Sequence, residues 1–183
     1  GGYGDDVLVG GTGDDHLFGG EGNDTYFFNL GDGRDSIHET ADSGYGGWAD
    51  RIVFGEGITA DDVVIERDGS DLKIQYSADD IVTVSNAYDS YYGMGGGTSI
   101  ENIEFADGTM LYESDINRKA AERYGTEYGD VMDGFEATVG YDGDEILHGM
   151  GGDDIINGND GNDTLYGDSG NDMIDGGYGD DVL

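Results

Sequence analysis

The 183-residue sequence contains no cysteine and no proline, and lysine and arginine together number only 7. Without cysteine there is no disulfide framework, so an extracellular protein of this kind needs another means of stabilisation. The shortage of basic residues argues against nucleic acid and anionic membranes as partners, because phosphate groups are bound mainly by lysine and arginine. No stretch approaches the ~18 apolar residues of a membrane-spanning helix.

Acidic residues and glycine are abundant instead. The sequence has 42 aspartate and glutamate residues, a formal net charge of -35, and 37 glycines. Repulsion between like charges, added to the backbone entropy of glycine, keeps such a chain expanded unless something neutralises the acidic side chains. The composition therefore predicts that folding depends on a neutralising partner.

Residues 149–183 repeat one nine-residue pattern, as GMGGDDIIN, GNDGNDTLY, GDSGNDMID and the incomplete GGYGDDVL. The pattern is G-x-x-G-x-D-x-U-x, where U is a bulky apolar residue, and we number its positions one to nine. The same pattern fills residues 1–27 and returns at 30–38 after two extra residues. Glycine permits turn conformations closed to residues with a Cβ atom, and the apolar residue at position eight can point inward from a short strand. Two repeats make one coil, so side chains two repeats apart stack on one edge.

This stacking brings acidic side chains together. Asp6 lies above Asp24 on one edge, and Asp15 lies above Asp35 on the other. Each pair, with glycine carbonyls of the same turns, offers only oxygen atoms, which suits calcium better than zinc or copper, and irregular turns suit it better than magnesium. We therefore predict calcium ligands at position six, which holds Asp6, Asp15, Asp24, Asp35, Asp130, Glu145, Asp154, Asp163, Asp172 and Asp181.

Residues 40–128 interrupt the repeats. Alternating or wholly apolar segments predict short β-strands at 49–54, 62–67, 72–76, 81–85 and 100–105. The sequence DGSD at 68–71 predicts a hairpin turn between the second and third of these. Ser114 is a candidate N-cap for a helix near 115–124, which Gly125 would end. We expect this region to be a β-rich linker that caps the first array.

The arrays resemble the RTX family of secreted bacterial proteins, which includes pore-forming toxins, proteases, lipases and adhesins. The stretches NDTYFFNLGDGRDSIHE, ADRIVFGEGI and DLKIQYSADDIVTV resemble the haemolysin-type calcium-binding related region. The resemblance implies an all-β fold, with a parallel β-roll in two segments, 1–39 and 129–183, joined by the linker at 40–128 with its one short helix. It also implies that the chain, as part of a larger protein, is disordered without calcium, leaves the bacterium through the type I secretion machinery and folds outside the cell.

The resemblance further implies that main-chain carbonyls at positions two and four bind calcium beside the position-six side chains. Glu145 has a longer side chain than aspartate, which is expected to distort its site, and Arg34 is expected to weaken the site of Asp35. Residues other than glycine at position two (Tyr141, Met150, Asn159 and Asp168) are tolerated if that position needs no positive φ. The expected carbonyl ligands are Gly2, Gly4, Gly11, Gly13, Gly20, Gly22, Gly31, Gly33, Gly143, Gly152, Asn159, Gly161, Asp168, Gly170, Gly177 and Gly179.

Two other functions were weighed against this one. Catalysis has little support, because GDSG at 167–170 fills positions one to four of a repeat, and His16, His38 and His148 all occupy repeat positions seven or nine. We therefore predict that the chain is not an enzyme. The alternative function is a calcium-stabilised adhesion or carbohydrate-binding module, in which aromatic residues of the linker loops, chiefly Trp48 and Tyr91, hold a glycan or host-surface ligand.

Overall fold

The computed structural model describes residues 1–39, 49–88, 100–135 and 143–183. These residues form two compact units, the first ending at Lys119 and the second comprising Ala120–Leu183. Both are built from short strands, and the prediction of an all-β fold with a parallel β-roll is confirmed. None of the helices in the described ranges is long and apolar enough to cross a membrane.

The strands of the first array wind between two sheets of the first unit. Strand β2 belongs to one sheet, β3 to the other, and β5 and β6 repeat this alternation one coil later, which is the path of a β-roll. The five-stranded sheets have the orders β3-β6-β10-β9-β8 and β12-β11-β7-β5-β2, and β1 pairs with β4. The strands are β1 (Gly2–Tyr3), β2 (Val7–Val9), β3 (His16–Phe18), β4 (Gly20–Glu21), β5 (Thr25–Phe28), β6 (Arg34–His38), β7 (Arg51–Phe54), β8 (Val64–Asp68), β9 (Asp71–Gln75), β10 (Ile81–Ser85), β11 (Asn102–Glu104) and β12 (Met110–Tyr112).

The region after the first array continues the same two sheets. Strand β7 pairs in parallel with β5, and β10 pairs in parallel with β6. Strands β8 and β9 then turn antiparallel through the predicted hairpin, where Gly69 has a φ of 65°. The predicted strands all occur, with ends shifted by one to two residues, and β12 was missed because Met110–Tyr112 is too short to show a period.

The helix differs from the prediction. Helix α1 spans Glu113–Ala121, so Ser114 lies inside it rather than capping it, and the Asp115 carboxylate accepts a hydrogen bond from the Tyr112 N–H at 3.3 Å. Residues Glu122–Tyr124, expected to be helical up to Gly125, form strand β13. This strand pairs with the roll, and the Tyr124 ring stacks on that of His148 with centroids 4.7 Å apart. Tertiary pairing therefore overrides the local preference for helix.

The second unit is a β-roll of two three-stranded parallel sheets, ordered β13-β15-β17 and β14-β16-β18. Position-eight side chains face inward, and Leu147, Ile156 and Leu165 are at most 1% exposed. Each fully buried side chain of this size contributes about 1.5–3 kcal/mol. The strands are β13 (Glu122–Tyr124), β14 (Val131–Asp133), β15 (Ile146–His148), β16 (Ile155–Asn157), β17 (Thr164–Tyr166) and β18 (Met173–Asp175).

Position two requires a positive φ. The condition under which residues other than glycine were expected to be tolerated there is therefore not met. The φ angles of Met150, Asn159 and Asp168 are 71°, 74° and 60°, and Tyr141 lies outside the described residues. The turn is held in this conformation by the next coil, because the Asn159 carbonyl accepts a hydrogen bond from the Tyr178 N–H at 2.7 Å. A side chain at such a φ costs roughly 1–2 kcal/mol, so three repeats carry backbone strain that glycine avoids.

Replacing Met150 with glycine is therefore expected to stabilise the calcium-loaded protein by about 1 kcal/mol, because the strained backbone relaxes. The reverse change at position two, Gly177→Ala, should destabilise it by at least that amount, since the φ of Gly177 is 92°. Chemical denaturation at saturating calcium measures both effects. A Met150→Gly variant less stable than the wild type would contradict the interpretation.

Candidate metal centres

Position-six carboxylates form ladders along the coils. One oxygen of each accepts a hydrogen bond from the N–H of the position-six residue one coil earlier. In the first unit the Asp24 Oδ1 atom lies 2.8 Å from the Asp6 nitrogen, and the Asp35 Oδ1 atom lies 3.0 Å from the Asp15 nitrogen. The second unit repeats this in the pairs Asp130–Asp154, Asp154–Asp172, Glu145–Asp163 and Asp163–Asp181, with distances of 2.8, 3.0, 2.8 and 3.1 Å.

The second oxygen of five position-six carboxylates lacks a hydrogen-bond partner. Asp24, Asp154 and Asp163 are each at most 1% exposed, and their Oδ2 atoms are buried without a hydrogen bond. The Oδ2 atoms of Asp15 and Asp35 are in the same state. An ionised carboxylate buried in this way costs several kcal/mol unless a cation or a donor satisfies it. Carboxylate oxygens left free at a coil edge are the donors that calcium prefers.

Glycine at position one leaves space beside the free oxygens of Asp15, Asp24, Asp154 and Asp163. A Cβ atom added to Gly158 would overlap the Asp163 Oδ2 atom and the carbonyl of Gly176 one coil later. The same overlap occurs at Gly149, with the Asp154 Oδ2 atom and the Gly167 carbonyl. Neither glycine has a positive φ, so its role is to keep this space open. The residues present therefore fit a calcium ion held by a carboxylate oxygen and main-chain carbonyls.

The carbonyls expected at positions two and four belong to the same turns, although some already accept hydrogen bonds. The Gly33 carbonyl accepts one from the Ile81 N–H at 2.9 Å, and the Met150 carbonyl accepts one from the Ser169 N–H at 3.1 Å. A carbonyl has two lone pairs, so these bonds leave one free. Their role as ligands remains a prediction, and the position-one carbonyls, which the sequence did not single out, lie beside the aspartates.

Two position-six residues have their own partners. The Asp130 Oδ2 atom accepts hydrogen bonds from the N–H and the hydroxyl of Thr126 at 2.6 and 2.8 Å. Glu145 is 1% exposed, and its longer side chain reaches the Phe135 N–H at 3.0 Å. Both lie on the first coil of their ladders in the second unit, where protein donors take up an oxygen that is free in later coils.

Position-five side chains form a further ladder that the sequence did not reveal. The Asp5 Oδ1 atom accepts a hydrogen bond from the Asn23 N–H at 2.9 Å, and the Asp153 Oδ1 atom accepts one from the Asn171 N–H at 2.9 Å. Hydrogen bonding to Asn171 lowers the pKa of Asp153. Arg34 occupies position five of its repeat, with an exposed side chain, and its N–H donates to Asp14 at 3.2 Å. Its weakening effect on the Asp35 site stays a prediction.

The ladder of the first unit extends beyond the repeats. The Asp50 Oδ1 atom accepts a hydrogen bond from the Asp24 N–H at 2.6 Å, and the Glu101 Oε2 atom accepts one from the Asp50 N–H at 2.7 Å. The sequence signal for both is the second half of the repeat, an acidic residue two places before a buried isoleucine, in DRIV at 50–53 and ENIE at 101–104. Burial raises the pKa of Asp50 to about 8 and that of Glu101 to about 7, partly offset by hydrogen bonds from the backbone.

The linker aromatic residues considered for ligand binding fall mostly outside the described residues. Trp48 and Tyr91 lie outside the described residues, and their role stays a prediction. Tyr88 is 6% exposed, and the Arg67 guanidinium lies 4.6 Å from its ring centroid. This tyrosine is therefore part of the core rather than a surface for sugars.

Gly158→Ala is expected to reduce the number of bound calcium ions, because the new methyl group enters the space beside the Asp163 Oδ2 atom. Gly151→Ala is the matched control, since a Cβ atom there approaches nothing closer than the Glu127 side chain at 3.3 Å. Equilibrium dialysis followed by metal analysis gives the ion count. Equal counts for the two variants would show that the space is not an ion site.

In calcium-free protein, the free energy of unfolding should fall as pH rises from about 4 to about 8. The pKa of Asp50 rises on folding from 3.8 to about 8, and that of Glu101 from 4.5 to about 7, so the folded state holds protons that the unfolded chain releases in this range. Circular dichroism of metal-stripped protein should show most structure near the acid end of the range. An Asp50→Asn, Glu101→Gln double variant should flatten the dependence, and an opposite slope would contradict it.

Two protein families match parts of the sequence. The family described as RTX calcium-binding nonapeptide repeat (4 copies) matches residues 1–38, 139–174 and 164–183, and the haemolysin-type calcium binding protein related domain matches residues 62–115. No curated protein sequence matches the chain. One similar solved structure is the extracellular lipase LipA from Serratia marcescens, with 18% identity and a TM-score of 0.40 over 97% of this chain and 27% of that one. The chain thus spans about a quarter of the lipase.

Both matched families are defined by calcium binding and not by catalysis. The ion that the repeats bind is calcium, as the oxygen-only ligand set predicted. The chain thus contains two arrays of the RTX calcium-binding nonapeptide repeat, and a haemolysin-type calcium binding protein related domain lies between them.

Proposed function

We propose that this chain is a non-catalytic block that is disordered without calcium and folds into its β-roll when calcium binds. The observation that carries the proposal is the set of buried carboxylate oxygens without partners at Asp15, Asp24, Asp35, Asp154 and Asp163. Each of them opposes folding while it is charged and unpaired, and each becomes favourable when a divalent ion takes the free lone pairs. Calcium binding and roll formation are therefore one process.

The energies are large enough for a switch. Extracellular calcium modules bind with dissociation constants on the order of 10⁻⁴–10⁻³ M, so the sites are empty at cytosolic calcium and filled outside the cell. At a tenfold excess of calcium over the dissociation constant, each ion stabilises the folded state by about 1.4 kcal/mol. Several such sites together match the whole stability of a typical domain, which is about 5–15 kcal/mol.

This switch suits a protein that crosses the bacterial envelope unfolded. We propose that the block belongs to a larger toxin, adhesin or enzyme, which leaves through the type I secretion machinery and folds outside. The absence of cysteine supports this, because calcium then replaces disulfides as the extracellular staple.

We further propose that the region 40–128 caps the first array. Strands β7 and β10 pair beside β5 and β6, and these pairings support the proposal because they cover strand edges that an open roll would leave unpaired.

Calcium is expected to convert metal-stripped protein from a disordered to a strand-rich far-UV circular dichroism spectrum, with a steep dependence on calcium. An Asp154→Asn, Asp163→Asn double variant should need several-fold more calcium, whereas Asp61→Asn, which changes an exposed turn residue, should behave as the wild type. Magnesium at equal concentration should not substitute. Equal order and compactness of the chelated and loaded protein would refute the proposal.

A further inference from the structure

The last coil of the first array contains an acidic cluster that the repeat pattern does not explain. One carboxylate oxygen from each of Asp24, Glu39 and Asp50 lies within 4.8 Å of the other two. Glu39 directly follows strand β6 and lies outside the nine-residue pattern. In the described ranges, no lysine or arginine forms an ion pair with any of the three.

Asp24 directs a free oxygen into this cluster. Its side chain is 0% exposed, and its Oδ2 atom has no hydrogen-bond partner. A Cβ atom placed on Gly19 would meet three atoms at once, namely this Oδ2 atom, the Glu39 Oε1 atom and the Tyr26 hydroxyl oxygen. The Asp24 and Glu39 oxygens therefore face the same space, which glycine keeps open.

Glu39 takes the place that a main-chain carbonyl has in the ordinary repeats. At Gly1 the equivalent space lies between the Asp6 carboxylate and the Gly19 carbonyl, whereas beside Gly19 it lies between the Asp24 and Glu39 carboxylates and the Tyr26 hydroxyl oxygen. The Tyr26 hydroxyl and the Gly20 N–H donate to Glu39 and hold it there. The space therefore contains a second charged ligand beside Asp24.

We propose that Asp24, Glu39 and Asp50 hold a calcium ion by three side-chain carboxylates, and that this site binds more tightly than the repeat sites and fills first. Calcium affinity rises with the number of charged ligands and with the rigidity of the site. Here two of the carboxylates are fixed by hydrogen bonds from the backbone, to Asp50 at 2.6 Å and to Glu39 at 3.3 Å. The site also joins Asp24, directly before β5, to one residue on each side of the segment 40–48.

This inference rests on the proposed function. The experiment is designed so that failure of the inference can be distinguished from failure of the proposed function. Calcium binding to the whole chain is measured by equilibrium dialysis from nanomolar to millimolar free calcium. The wild type should show one ion bound at least about tenfold more tightly than the rest. Glu39→Gln and Asp50→Asn should each remove this tight phase and leave the weaker ions in place. A wild type without a tight phase overturns the inference alone, whereas calcium-independent order overturns the proposed function alone.

Matched controls separate ligation from net charge. Glu56→Gln and Asp61→Asn make the same chemical changes at exposed turn positions and should keep the tight phase. Loss of the tight phase in these controls, or its survival in Glu39→Gln and Asp50→Asn, would overturn the inference.

A second measurement covers the case in which the charge-removing variants fail to fold. Terbium bound in this site should be sensitised by Tyr26, whose hydroxyl donates to Glu39. Tyr26→Phe keeps all three carboxylates and the Gly20 donor to Glu39 but removes the hydroxyl donor, so terbium at one equivalent should still bind, less tightly in competition with calcium, with most of its sensitised emission lost. Emission equal to that of the wild type would place the first ion elsewhere and overturn the inference.

Discussion

The structure depends on one arrangement, in which a position-six carboxylate shares one oxygen with the coil before it and leaves the other free. The shared oxygen fixes the register, since the hydrogen bond from the Asp6 N–H to Asp24 forms only when the coils stack residue for residue. The free oxygen then lies at a buried edge, where it is unfavourable on its own. The geometry that aligns the coils is thus also the geometry that creates the demand for a cation.

Local neutralisation matters more than overall charge in this molecule. The formal charge is -35, and even several divalent ions leave the chain strongly acidic. Exposed acidic residues are screened by water and salt, whereas the buried oxygens of Asp154 and Asp163 are not. In the proposed mechanism, the switch therefore responds to a handful of buried carboxylates, and the remaining acidic residues keep the unfolded chain soluble and expanded.

The segment after the first array continues the sheet and the carboxylate ladder of the repeats, although it does not follow the nine-residue pattern. DRIV at 50–53 and ENIE at 101–104 keep the acidic residue and the buried isoleucine of a repeat outside the regular nine-residue register. Their strands add to the same sheet in parallel, and Asp50 and Glu101 continue the ladder of Asp24. The pKa values of Asp50 and Glu101 are raised because both side chains are buried and lie close to other carboxylates. The ladder of hydrogen-bonded carboxylates therefore continues beyond the nine-residue repeats.

The sequence by itself determined the roll, most of the strands, the ligand chemistry and the ion, because a nine-residue period repeats the same local geometry and a buried position-eight residue sets the inward face. Only the tertiary structure decided the partners of each carboxylate. Asp50, Glu101 and Glu39 are distant in sequence from Asp24, and their proximity arises from strand pairing across the intervening segments. Local preference likewise failed at Met150, whose positive φ is imposed by the stacked coil, and at β13, where pairing with β15 replaced the end of a helix. The local pattern determines the conformation that a repeat can adopt, and the stacking of distant segments determines which carboxylate oxygens lie close together.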